Sequence, residues 1–100
     1  MMIGKVIGTV VSTNKAEALK GAKLLIVRPV DIDSMKEKND YVICVDDVEA
    51  GEGDIVMCAY GSSAQQTDTT KDVASDYSIY AIVDHITIDD QRTYEKSGGN

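Results

Sequence analysis

The sequence predicts an all-β fold, a small five-stranded antiparallel barrel with one short helical turn. Three observations carry the prediction. The apolar residues lean to Val and Ile, which suit a pleated, half-buried surface. They fall in five runs separated by Gly-, Asp- and Ser-containing punctuation. No long segment has the periodicity of an amphipathic helix.

The first run, residues 2–13 (MIGKVIGTVVST), reads as a long strand. Gly4 and Gly8 within it mark a bend or a close backbone approach, which a tightly curved barrel requires. Asn14 to Lys20 (NKAEALK) reads as a turn with one short helical turn, ended by Gly21. Residues 23–31 (KLLIVRPVD) are the second strand, with Pro29 near an edge or bend because it has no N–H to donate. A polar loop over 32–39 leads to the third strand, 40–46 (DYVICVD).

The glycines and acids of 49–54 (EAGEGD) form a turn before the fourth strand, 55–60 (IVMCAY). The third and fourth strands are expected to pair as a hairpin, which would set Cys44 opposite Cys58 if it centres on Gly51. Residues 61–76 are the longest loop, small and polar, and long loops in compact domains often carry function. Residues 77–89 (YSIYAIVDHITID) are the fifth strand. The expected organisation is a barrel domain over 1–90 and a polar C-terminal tail over 91–100. An OB-like or related Greek-key barrel fits this length.

One hundred residues make one domain, modestly stable alone, so oligomerisation is expected before any motif is considered. Trp and Phe are absent, so the core must be aliphatic. The net charge of −7 argues against nucleic acid or an anionic membrane as partner, since both need basic surface. The charge is uneven. Residues 1–30 hold Lys5, Lys15, Lys20, Lys23 and Arg28 against Glu17 alone, and the acidic excess follows them. Lys5 interrupts the first apolar run and no small-residue cleavage site follows, so a cytoplasmic protein is expected. No stretch is long enough for a membrane-spanning helix.

No residue pattern points to catalysis. His85 is the only histidine and has no neighbouring ligand residues for a metal. Ser62 lies in nothing like a G-x-S-x-G turn. Asp46 and Asp47 are adjacent, so in a strand they point to opposite faces and make no carboxylate pair. Cys44 and Cys58 sit in apolar runs and read as buried small hydrophobes. No glycine-rich phosphate loop is present, so no mononucleotide or dinucleotide site is suggested. Tyr77 and Tyr80 on the fifth strand lack the Lys and Arg of a nucleic-acid-binding barrel face.

Five segments in order resemble the EutN/CcmL family, the vertex proteins of bacterial microcompartments. Gly4, Val6, Gly8, Val10, Val11 and Thr13 fit its opening G-x-V-x-G-x-V-V-x-T. Leu19, Gly21, Lys23, Leu24, Leu25 and Val27 fit L-x-G-x-K-L-L-x-V. Val45, Asp46, Val48, Ala50, Gly51, Gly53, Asp54 and Val56 fit V-D-x-V-x-A-G-x-G-(D/E)-x-V. Gly61, Ser62, Ser63, Ala64 and Gln65 stand at the family's G-S-S-A-R loop, with Gln65 in place of Arg. Asp76, Ile79, Ile82, Val83 and Asp84 fit the last strand, and Ala74 stands where a Pro often precedes it.

The resemblance implies a non-enzymatic shell subunit without catalytic residues or cofactor. It implies a homopentamer that closes the vertices of a shell tiled by hexameric proteins. Gly61, Ser62, Ser63, Ala64 and Gln65 are the expected subunit interface or axial lining. The competing reading is a solitary OB-like binding module for nucleic acid or peptide.

Overall fold

Seven strands account for the regular structure of the computed structural model, which describes residues 1–13, 21, 23–60 and 77–96. They are β1 (Met2–Val10), β2 (Lys23–Pro29), β3 (Val42–Asp46), β4 (Ile55–Tyr60), β5 (Tyr77–Ile82), β6 (His85–Ile88) and β7 (Gln91–Glu95). The first five close into a barrel in the order β1-β2-β3-β5-β4, with β4 returning to β1. The expected all-β five-stranded barrel is therefore present. The expected helical turn at 14–20 lies outside the described residues.

Inward residues alternate with outward ones, as the pleat dictates. Val6, Leu25, Val27, Cys44, Val56, Cys58 and Ile79 fill the interior, and Ala50 joins them from the turn before β4. Burying such aliphatic side chains stabilises the fold by about 1.5–3 kcal/mol each. Irregular register leaves Ile7 of β1 extra opposite β2 and Tyr80 of β5 extra opposite β4, which bends β1 and β5. Such bulges add the local curvature that closing a small barrel needs.

Three expectations change. β3 and β4 form no hairpin: β3 pairs in parallel with β5, while β4 pairs antiparallel with β1 and β5. The turn before β4 binds β1 instead. Val6 N–H donates to Asp54 O, and Gly53 N–H donates to Val6 O. Gly53 has φ of +92°, a region that glycine enters without steric cost. Cys44 and Cys58 consequently meet inside the barrel, with Sγ atoms 3.8 Å apart, rather than as cross-strand neighbours.

The expected fifth strand is also broken. β5 ends at Ile82, and β6 leaves to pair with β7. The segment after Asp90, expected to be a polar tail, thus contains a strand. Asp89 and Asp90 both have positive φ (51° and 64°), as a two-residue type I′ hairpin turn requires. The β6–β7 hairpin covers the outer wall of β1 and β4. There Ile55, Val83 and Ile86 form a second core with Ile3, Met35, Met57, Ile88 and Tyr94.

Candidate assembly surface

Gly61, Ser62, Ser63, Ala64 and Gln65 lie outside the described residues. The flanking residues are described: Tyr60 ends β4, Tyr77 begins β5, and the two are register partners. The chain therefore leaves and re-enters the barrel at one place, beside the start of the β5 pairing with β3.

Among the described residues, no chemically reactive groups converge. His85 is exposed at the start of β6, opposite Glu95. Among the described residues, no three His, Cys, Asp or Glu side chains are grouped to hold a metal ion. The hydrogen bond to Cys58, and then burial, push the Cys44 thiol far above its ordinary range. A thiol so protonated is a poor nucleophile. Asp46 is buried, but its role is structural. Its carboxylate accepts the Val48 N–H and sits 3.4 Å from Lys23 Nζ, which also donates to Ala50 O. Lys23 thereby ties β2 to the turn between β3 and β4.

The closed barrel itself offers no strand edge for pairing, so a contact on its wall is made through side chains. Two outward features suit that. The first is a ridge on β2 and β3. Ile43 faces out beside its register partner Ile26, and Tyr41 follows on the same side. Tyr41 is 56% exposed and Ile43 50%. The Arg28 guanidinium lies 4.7 Å from the Tyr41 ring centroid and donates to its hydroxyl at 2.6 Å. Arg28 also binds Glu37, which Lys5 reaches from β1. These bonds, that from Arg28 foremost, hold the Glu37 carboxyl below its ordinary range.

The second feature is an open apolar groove of about 790 Å³ beside the β1–β4 wall. Met1, Met2, Ile3, Met57, Ile32 and Ile88 supply most of its lining, with Asp31, Asp33 and Lys38 among its polar residues. Met1 is 79% exposed and Ile32 52%. A hydrogen bond from Thr93 Oγ1 to Ile32 O joins β7 to the loop that borders the groove.

Neither feature was singled out from the sequence. Tyr41 and Ile43 sit in an ordinary strand run, and alternation cannot say whether the outward side of a strand meets water. The available signal was an apolar residue at the outward positions of two paired strands, Ile26 and Ile43.

Comparison with known proteins places this barrel. The family model described as "Ethanolamine utilisation protein EutN/carboxysome" matches residues 1–84. The bacterial microcompartment shell vertex protein GrpN of Rhodospirillum rubrum (strain F11) is 43% identical over 86 residues, which are 86% of this chain and 96% of GrpN. The solved structure of Gloeobacter violaceus CcmL superposes with a TM-score of 0.90 at 31% identity, covering 96% of this chain and 98% of that one. That of the GrpN pentameric microcompartment shell protein from Rhodospirillum rubrum gives 0.79 at 41% identity, covering 88% and 99%. With one barrel shared from end to end and the family pattern running through its five strands, the chain belongs to the EutN/CcmL family of bacterial microcompartment vertex proteins.

Proposed function

We propose that this chain is a non-enzymatic structural subunit that assembles as a homopentamer and caps the vertices of a bacterial microcompartment shell. The observation that carries the reading is its likeness to the pentameric GrpN shell protein, 41% identical over 88% of the chain. A ring of five supplies the curvature that flat hexagonal tiling lacks. Such a cyclic ring uses a heterologous interface, in which one face of each subunit meets a different face of the next. Its rim meets hexameric shell proteins, its location is the shell within the cytoplasm, and nucleic acid and membrane play no part.

Gly61, Ser62, Ser63, Ala64 and Gln65 line the axis or a subunit interface in this reading, where small side chains let backbones approach closely. Native mass spectrometry across a range of subunit concentrations tests it. A dominant five-subunit mass is expected, and Ser63→Trp is expected to reduce it. A stable monomer that is retained on single-stranded DNA at low salt would instead make the chain a solitary binding barrel. A Ser63→Trp ring indistinguishable from the parent would remove the loop from the axis.

A further inference from the structure

We infer that Cys44 and Cys58 are a latent redox latch: a small-molecule disulfide oxidises them to an internal disulfide that ties β3 to β4 through the barrel interior. The inference is independent of the assembly reading and of the number of subunits. The two thiols are already in contact, with Cys44 Sγ donating to Cys58 Sγ at 3.8 Å. They are the only cysteines of the chain, so no third thiol competes for either.

The strands leave room for the bond. β3 and β4 are not hydrogen-bonded to each other, because β5 stands between them. No ladder fixes their spacing directly, and a covalent bond adds a brace that the sheet lacks. The β4–β5 pairing is also irregular at this place, where the register shifts between Met57 and Cys58. Such a bulge lets the pair bend locally. The Cys58 segment is therefore where β4 can move its sulfur from contact to the bonding distance of about 2.05 Å.

The surroundings decide when the bond forms. Val6, Leu25, Val27, Val56 and Ile79 share the core with the pair, and both cysteines are fully buried. A disulfide is uncharged and suits this site as well as two thiols do, whereas burial disfavours the thiolate that exchange requires. Exchange in either direction waits for the barrel to open. A chain that meets the oxidant while open closes on the disulfide and then shields it from reductant.

The exchange balances. One cysteine thiolate attacks a sulfur of the small disulfide, whose S–S bond breaks to leave a mixed disulfide and one small thiolate. The other cysteine thiolate attacks the protein sulfur of the mixed disulfide and releases the second small thiolate. The two protons lost by the cysteines pass to the two small thiolates, and the two electrons reduce the small disulfide.

The test incubates the full chain with oxidised glutathione at its urea midpoint, returns it to native buffer, quenches with acid, then unfolds and alkylates it for mass measurement. The expected product is a monomer two hydrogens lighter that takes up no alkyl group. The closed loop over residues 44–58 is expected to raise the folding equilibrium on the order of a hundredfold, read as a higher urea midpoint than that of the dithiol. In native buffer, dithiothreitol is expected to reduce the bond only as fast as the barrel opens. Cys58→Ala, oxidised in the same way, is expected to stop at the glutathione mixed disulfide. A parent chain that also stops there, links to another chain or keeps both thiols overturns the latch. So does an oxidised form whose urea midpoint is no higher than that of the dithiol, because the barrel then fails to close over the bond.

Discussion

At the scale of single residues, the two glycines of β1 do different work. A Cβ on Gly4 would lie 2.4 Å from Val27 Cγ1 and 2.9 Å from Arg28 O. The second of these is backbone and cannot yield by a rotamer change, so β1 and β2 approach this closely only with glycine between them. A Cβ on Gly8 would meet Ile26 Cδ1 at 3.6 Å, an ordinary contact. Gly4→Ala is therefore expected to cost about 1–3 kcal/mol through overpacking, whereas Gly8→Ala stays within about 1 kcal/mol of the parent. Urea unfolding at one fixed subunit concentration measures both. Equal effects would show that the sequence motif, rather than the steric gap, sets the requirement.

At the scale of elements, the loop between β2 and β3 is held to the barrel through Glu37. A hydrogen bond from Arg28, with help from Lys5, lowers its folded-state pKa. The stabilisation is thus present above the ordinary carboxylate range and is lost as pH falls through the lowered value. Glu37→Gln is expected to flatten the acid limb of the stability profile, with little change at neutral pH because the pair is exposed. Denaturant unfolding at a series of pH values reads this directly, and superimposable acid limbs would exclude the role.

The barrel strands were legible because each is an apolar run whose alternation survives in the fold, as in Leu25 and Val27 against Ile26 and Arg28. Their pairing was less so. The Gly51–Asp54 turn looks like a hairpin loop, yet two of its backbone hydrogen bonds go to Val6, more than forty residues away, which no local pattern records. The β6–β7 hairpin was hidden for a different reason. Its turn is Asp89–Asp90 rather than the usual Asn-Gly, and its strands are only four and five residues long.

At the scale of the whole molecule, the candidate interface was the least legible part, because an outward apolar residue becomes informative only when its neighbours around the barrel are known. The interior, by contrast, follows from composition: without Phe or Trp, small aliphatic and thiol side chains must pack to the axis. Cys44 and Cys58 meet there, and only opening of the barrel exposes them. Their alkylation in native buffer is expected to run about three orders of magnitude or more slower than in the denatured chain, in step with global unfolding. Rapid labelling of the folded protein would mean that the barrel breathes locally along β3 or β4.

Closure of the barrel has a consequence for how such a protein accumulates in a cell. Every strand from β1 to β5 is flanked on both sides, so the barrel presents no edge on which another chain can template. Among the described residues, the open edges belong to the short β6–β7 hairpin, where a bulge between Ile86 and Thr87 and the charges of Arg92 and Glu95 blunt fibrillar stacking. The barrel wall is therefore expected to resist seeding amyloid.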